Sequence, residues 1–241
     1  MSEYATIRLA REEAIVTLTL DRPEVLNAYD RRMRDEIFTA LRWVDADPEI
    51  RVLVVQGAGR AFGSGGDLRE FGTAPSPLAA RVVRQQRDVW QLWSELRCTT
   101  IASVHGLAAG GGLEMALLCD LMVVADDARL LLPETGLAMI PGVGGTQTLP
   151  RAVGEAVAAR LLLTDAELRG TEAERIGLAA RSVPAARLPA ETRRLARRVV
   201  GLPPAALTAA RKALRRGADL PLAPALRLEH RLSRQLRGGQ R

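Results

Sequence analysis

The sequence predicts an α/β fold, and three observations support that prediction. Nearly continuous apolar runs, VLVVQ at 52–56, TIASV at 100–104 and LMVVA at 121–125, are typical of strands buried on both faces of a sheet. Glycine-rich loops follow the first two runs, and helical spacing follows each loop. From residue 154 onward almost the whole chain has helical spacing. Before residue 154, strands, glycine-rich loops and helices alternate along the chain, as in β-α units.

The pattern of the N-terminal segment predicts a β-hairpin followed by a helix. IRLA at 7–10 and IVTLTL at 15–20 alternate apolar and polar residues on either side of the polar turn REE. Asp30 is a suitable N-cap for a helix that extends to about Val44, because the apolar residues from Met33 onward recur on one stripe.

Two glycine-rich loops interrupt the middle of the chain. GAGRAFGSGGD at 57–67 carries five glycines in eleven residues, which favours a backbone that approaches another group closely. GLAAGGG at 106–112 is the second loop. The remaining predictions are a helical segment at about 78–97, a helix at 114–120, a short strand at 130–132 and a tight turn at 141–145.

Composition places the chain among ordinary globular proteins, with 47% apolar and 26% charged residues. Cys98 and Cys119 match no metal-binding or redox spacing. No apolar run approaches the roughly 20 residues of a membrane-spanning helix, and the N-terminus does not resemble a secretory signal. We therefore expect a reduced, cytoplasmic protein without a membrane partner.

The charge distribution is uneven along the chain. The net charge is +6, and Lys212 is the single lysine among 34 basic residues. Lys212 has no surrounding G-x-x-x-x-G-K-[ST] pattern, which excludes a P-loop nucleotide hydrolase. Arginines concentrate in 187–241 at helical spacing among Leu and Ala. This pattern favours a solvated helix face, and nucleic-acid binding stays the alternative.

We expect the chain to consist of two regions. Residues 1–186 form the core domain, and residues 187–241 form a helical oligomerisation region.

Several common catalytic patterns are absent. Neither glycine loop matches the G-x-G-x-x-G pattern of dinucleotide-binding folds. Ser64 lies in FGSGG rather than in a hydrolase elbow, and only His105 and His230 are available for a serine triad. His105 is expected to be a hydrogen-bonded structural residue at the end of a strand.

Two glutamates adjoin the glycine loops in apolar surroundings. Glu114 follows GGGL, and Glu134 follows LLLP. Burial of either carboxyl would raise its pKa toward the range useful for acid-base catalysis near neutral pH. The alternative for each is an exposed glutamate at a helix start, where the helix dipole favours a negative charge.

Four segments combine the glycine loops with these glutamates in a fixed order. They are RPEVLNAYDRRM at 22–33, VLVVQGAGRAFGSGGDLREF at 52–71, SVHGLAAGGGLEMALLCDLMVVADDARL at 103–130 and PETGLAMIPGVGGTQTLPRAVG at 133–154. With these segments the chain resembles the enoyl-CoA hydratase/isomerase family, also called the crotonase superfamily, over residues 5–230. The resemblance implies a spiral of β-β-α units with a helical C-terminal region that assembles trimers, often paired into hexamers.

The resemblance also implies the roles of individual residues. The backbone N–H groups of Gly66 and Gly111 would form an oxyanion hole for a CoA thioester, and Asp67, Leu68 and Arg69 would complete the CoA-binding loop. Glu114 would activate and orient water, and protonated Glu134 would supply the α-proton. The implied reaction adds water to a trans-2-enoyl-CoA, in fatty acid metabolism, without a metal or cofactor because CoA is part of the substrate.

The chain departs from the family in two places. The C-terminal ending RQLRGGQR lacks the family's usual terminal segment, and EFGTAPSPLAARVV at 70–83 does not indicate an acyl chain length. Other reactions on the same scaffold remain alternatives: double-bond isomerisation, hydration of a cyclic enoyl-CoA and thioester hydrolysis. An RNA-binding relative is a further alternative.

Overall fold

A computed structural model of the chain describes residues 4–76, 78 and 86–238. The predicted 78–97 helix and the 70–83 segment lie partly outside these residues. The strands are β1 (Ile7–Glu12), β2 (Ile15–Leu20), β3 (Val52–Gly57), β4 (Thr99–Val104), β5 (Leu107–Ala109), β6 (Leu121–Ala125), β7 (Arg129–Leu131), β8 (Leu168–Arg169) and β9 (Arg181–Val183).

The predicted hairpin and the buried strands form the larger sheet. Among the described residues its order is β1-β2-β3-β4-β6-β9. The β1–β2 pair is antiparallel, and the remaining pairs are parallel. A parallel strand with helices over both faces must be apolar along its whole length, which explains the continuous runs in β3, β4 and β6.

A smaller sheet has the order β5-β7-β8. Its strand β5 lies inside the predicted glycine loop at 106–112, where we expected no regular structure. The loop prediction is wrong there because Leu107–Ala109 pair in parallel with Arg129–Leu131, and that pairing is not visible in the local sequence. The predicted short strand at 130–132 is confirmed as β7, one residue earlier.

The helices surround the sheets. They are α1 (Arg31–Ala46), α2 (Val89–Glu95), α3 (Gly111–Leu117), α4 (Gly145–Val153), α5 (Glu155–Leu163), α6 (Gly170–Arg175), α7 (Leu188–Val200), α8 (Pro204–Gly217) and α9 (Leu222–Gly238). The N-cap prediction for α1 is confirmed, because the Asp30 side chain accepts a 2.8 Å hydrogen bond from Met33 N. Helix α3 begins three residues before the expected position and ends at Leu117.

Helix α7 continues the core. Leu188, Ala196 and Val199 of α7 are buried in the same hydrophobic cluster as the strands of the larger sheet. The strand β9, which the helical spacing after residue 154 did not predict, pairs with β6 in this sheet. The division at residue 186 into a core domain and an oligomerisation region stays a prediction. Within the described part of the chain, no helix combines the length and apolar character needed to cross a membrane.

Candidate active site

The two glycine loops contact each other through their backbones. Gly63 forms a parallel bridge with Ala108, in which Ala109 N donates to Gly63 O at 2.9 Å and Gly63 N donates to Leu107 O at 3.1 Å. A Cβ at Gly112 would overlap the carbonyl group of Gly63. Glycine at position 112 therefore permits an approach that any side chain would prevent.

The Gly66 amide lies at the edge of this contact. A parallel bridge between Tyr29 and Gly66 is formed by Tyr29 N donating to Gly65 O at 2.8 Å and Asp67 N donating to Tyr29 O at 2.9 Å. These bonds use the residues on either side of Gly66, so the Gly66 N–H is directed away from Tyr29.

Gly111 lies beside this loop at the first position of α3. Its N–H has no acceptor within the helix, because the first four N–H groups of an α-helix have no preceding helical carbonyl to bind. A Cβ built on Gly65 would lie 3.2 Å from Gly111 N. The tertiary structure thus brings the Gly65–Gly66 backbone next to the amide of Gly111.

Glu114 is buried in the first turn of α3, with 2% of its surface exposed. Its Oε1 accepts hydrogen bonds from Val143 N at 2.8 Å and Gly145 N at 2.7 Å. Desolvation raises the pKa of Glu114, and the backbone amides of the 142–145 turn oppose that increase. The exposed helix-start interpretation is wrong for this residue.

The turn before α4 provides these amides. Gly144 has a φ of +111°, which favours glycine, and it reverses the chain so that neighbouring N–H groups face Glu114. A Cβ on Gly145 would lie 3.1 Å from Glu114 Oε1. The predicted tight turn at 141–145 is confirmed, and it orients the Glu114 carboxyl.

Glu134 follows β7 and Pro133 and lies over the second glycine loop. It is 8% exposed, and a Cβ on Gly110 would lie 3.0 Å from its Oε1. Its Oε2 is buried and has no hydrogen-bond partner among the described residues. Burial raises the pKa of Glu134, and the negative charges of Glu114 and Asp165 raise it further.

The pair can therefore act in acid-base chemistry. Desolvation raises the pKa of both carboxyl groups, and the Glu114 charge raises that of Glu134 further, so each group is harder to ionise than an exposed glutamate. One carboxyl has an oxygen fixed by two backbone donors, and the other has an oxygen free for a reacting group.

The loop after Gly66 is held by ion pairs. Arg69 donates from Nε to Asp67 Oδ1 at 2.9 Å and from a terminal nitrogen to Asp67 Oδ2 at 2.7 Å, and Arg22 contacts Oδ2 at 3.3 Å. These arginines hold the pKa of Asp67 well below its usual range, chiefly through the Arg69 hydrogen bonds. Leu68 is 59% exposed and the Arg69 side chain is 68% exposed, so both can contact a ligand from solvent.

Sequence reasoning missed an aromatic group at the site. A Cβ on Gly111 would lie 2.6 Å from Tyr29 Cε1, and a Cβ on Gly66 would lie 3.0 Å from Phe71 Cε2. Trp90 contacts Tyr29 edge-to-face with ring centroids 5.5 Å apart. The sequence signal for Tyr29 was its place in the RPEVLNAYDRRM segment, but nothing local indicated its contact with the Gly111 region.

Among the described residues, no cluster of three or more His, Cys, Asp or Glu side chains could bind a metal ion. Cys98 and Cys119 are free thiols whose pKa burial raises to about 12, which disfavours the reactive thiolate. His105 Nε2 donates a hydrogen bond to Gly59 O at 2.9 Å, as expected for a structural role.

Comparisons with known proteins identify the family to which the chain is similar. A family model described as Enoyl-CoA hydratase/isomerase matches residues 10–238. The 2,3-dehydroadipyl-CoA hydratase of Escherichia coli is 34% identical over 93% of this chain and 87% of its own length.

Solved structures show the same fold. The structure of enoyl-CoA hydratase subunit I from Geobacillus kaustophilus has a TM-score of 0.93 and 37% identity over 98% of this chain and 91% of its own. A Thermobifida fusca protein solved in complex with CoA has a TM-score of 0.88 and 29% identity over 99% of this chain and 96% of its own. The predicted α/β class and the crotonase-like spiral are confirmed by these matches.

Proposed function

The chain belongs to the enoyl-CoA hydratase/isomerase family, and on that basis we propose that it adds water to a trans-2-enoyl-CoA to give a 3-hydroxyacyl-CoA. The observation that carries this proposal is the pair of buried glutamates, Glu114 and Glu134, which each have a raised pKa beside the two glycine loops.

Glu114 is the proposed water-binding base. Val143 N and Gly145 N both donate to its Oε1, so that oxygen is already hydrogen-bonded and oriented. In the proposed mechanism the second oxygen of this carboxyl binds the water molecule. Fixing the carboxyl in this way supports catalysis because the water is held in position before the substrate reacts.

Glu134 is the proposed general acid. Its buried Oε2 has no hydrogen-bond partner among the described residues, which supports a role toward a group that arrives with the substrate. Burial and the Glu114 charge favour its protonated form, the form that can supply a proton to C2 of the enoyl group. Water oxygen bonds to C3 as C2 takes this proton, and the proton released by water restores the glutamate pair.

The amides of Gly66 and Gly111 are the proposed oxyanion hole. Negative charge grows on the thioester oxygen when water attacks C3, and two preoriented N–H donors would stabilise it. Such donors contribute about 2.7 to 4 kcal/mol each. CoA enters as part of the substrate, so the proposed reaction requires no additional cofactor or metal.

Substrate-panel kinetics test the proposal. Short, medium and long enoyl-CoA thioesters, linear and cyclic, are followed by loss of the conjugated enoyl absorbance. Glu114→Gln and Glu134→Gln should each lower the rate on the best substrate by about 10²-fold or more. Glu155→Gln is the matched control, because Glu155 is exposed at the start of α5.

The same panel separates the other reactions of this scaffold. Product analysis distinguishes a hydroxyacyl-CoA from a shifted double bond or from free CoA. Near-native turnover in both glutamine variants would contradict the two-glutamate mechanism, and a shifted double bond without hydration would identify an isomerase.

A further inference from the structure

A strained residue lies near the Glu134 loop. Asp165, in the turn that follows α5, has a φ of +49°. Residues with a Cβ rarely adopt this left-handed conformation, and they persist there when surrounding contacts hold them. Glycine would fit the turn with less strain, although aspartate adopts this conformation more readily than most residues. The contacts of the Asp165 side chain therefore decide what this residue contributes.

The Asp165 carboxylate contacts the two residues after Glu134. Thr135 Oγ1 lies 2.6 Å from Asp165 Oδ1 and 2.7 Å from Leu162 O. A Cβ on Gly136 would overlap Oδ2 of Asp165, so the carboxylate packs directly against the Gly136 backbone. Asp165 therefore fixes the short 3-10 helix Thr135–Leu137 from the side of α5.

This anchor bears on Glu134 because Glu134 begins that short helix. Glu134 O accepts from Leu137 N at 3.0 Å and from Met139 N at 2.8 Å, which joins its backbone to the same segment. The segment has little apolar anchoring, since Leu137 is 52% exposed and Ile140 is 74% exposed. The side-chain oxygen Oε2 of Glu134 has no partner of its own among the described residues. The orientation of the Glu134 carboxyl thus depends on the position of the Glu134 backbone.

We propose that Asp165 is a positioning residue that holds the Glu134 carboxyl in its reactive orientation through Thr135 and Gly136. The inference rests on the proposed acid role of Glu134. Asp165 does not touch the substrate in this scheme. The Asp165 carboxylate, and not the conformation of the turn, is what the site uses.

The charge of Asp165 provides a second effect on the same residue. The pKa of Glu134 is raised by burial first, then by the charges of Glu114 on α3 and Asp165. Removing the Asp165 charge should lower the pKa of Glu134. Because the protonated acid is required, the alkaline limb of the rate profile should then move to lower pH.

Three variants test the positioning role. Asp165→Gly removes the anchor and relieves the strain, and Thr135→Val removes the hydroxyl that Asp165 holds. Each should lower kcat roughly 10- to 100-fold with little change in KM, as expected for a misplaced catalytic group. Asp165→Asn keeps an acceptor for Thr135 and tolerates a positive φ, so it should restore most of kcat and shift the alkaline limb.

Thermal unfolding distinguishes positioning from general stability. Asp165→Gly should keep or raise the melting temperature while kcat falls. The matched control is Glu13→Gly, because Glu13 is an exposed residue with a φ of +54° in the β1–β2 turn, far along the chain from the site. It should raise the melting temperature in the same way and leave kcat unchanged.

The outcomes separate the two proposals. If Glu134→Gln is nearly inactive but Asp165→Gly and Thr135→Val have native kcat, the positioning role is wrong and the proposed acid role stands. If Asp165→Gly loses kcat only together with a lower melting temperature, the positioning role is also wrong. If Glu134→Gln retains native kcat, the proposed acid role is wrong, and the inference fails with it.

Discussion

Asp120 and Arg211 form an ion pair in which Arg211 Nε lies 2.7 Å from Asp120 Oδ1, across 91 positions of the chain. Arg215 also contacts this carboxylate, at 2.9 Å. Thr100 N donates to Asp120 Oδ2 at 2.8 Å, so the carboxylate is bound from β4 as well. This group therefore joins α8 to β4 and to the segment between α3 and β6.

Replacing Asp120 should destabilise the protein. Both Asp120 and Arg211 have side chains that are 14% exposed, so Asp120→Ala leaves a nearly buried guanidinium without its partner. Loss of one partner of a buried pair typically costs about 3 to 5 kcal/mol. Urea denaturation measures the free energy of unfolding. The control Arg194→Ala breaks an exposed pair with Glu191 and should change this free energy by less than about 1 kcal/mol. Equal effects of both variants would contradict the prediction.

The hydration rate should fall on both sides of a pH optimum. Glu134 must be protonated, so its active form is lost as pH rises through its raised pKa. Glu114 must be ionised to act as the base, so activity should also be lost as pH falls through its raised pKa. Replacing Glu114 by Gln removes a nearby negative charge, which should move the alkaline limb of the residual activity to lower pH. Initial rates over a pH series check both statements. An alkaline limb that stays at the same pH in Glu114→Gln would show that the pair is not coupled.

Gly112→Ala should disrupt the contact between the glycine loops. The added Cβ would overlap the Gly63 carbonyl, and the loops can accommodate it only by moving apart. Overpacking of this kind costs about 1 to 3 kcal/mol. We expect a lower melting temperature and a larger fall in hydration rate than in Gly142→Ala, because a Cβ at Gly142 meets no atom within 4 Å. Equal activity in the two variants would indicate that the loop contact is not needed for catalysis.

The chain should assemble as a trimer or hexamer. Leu214 of α8 and Leu222 of α9 are each 76% exposed, and such residues on neighbouring helices favour an apolar interface. Light scattering at micromolar concentration measures the mass. Leu214→Arg should weaken the assembly, and a monomeric native protein would contradict the prediction.

Binding of RNA should be weak and independent of sequence. Tail arginines such as Arg211 and Arg197 are paired with acidic residues, and 187–241 contains no Phe, Tyr or Trp on which bases could stack. Phosphate contacts alone should be lost between about 50 and 200 mM salt. A fluorescence titration with a defined RNA and a scrambled competitor measures this. Submicromolar, selective binding at the higher salt would favour the RNA-binding alternative.

Much of the fold is determined by local sequence. The alternation in Ile15–Leu20, the cap at Asp30 and the apolar run in Val52–Gly57 each specify an element within a few residues, and each is confirmed. Glu114 and Glu134 were also identified from their apolar neighbours, and the structure buries both beside the glycine loops. Their proposed catalytic roles stay predictions.

Other features depend on residues far apart in the chain. Strand β9 has only three residues and no periodicity of its own, and it forms because the edge of β6 supplies its hydrogen-bonding partner. The contact of Tyr29 with Gly111 and that of Asp165 with Thr135 likewise have no local signal. The sequence alone determined the N-terminal hairpin, the buried strands β3, β4 and β6 and helix α1, because backbone propensity and apolar periodicity are local. Only the tertiary structure decided which side chains meet around Glu134, because that depends on how the packed layers align distant segments.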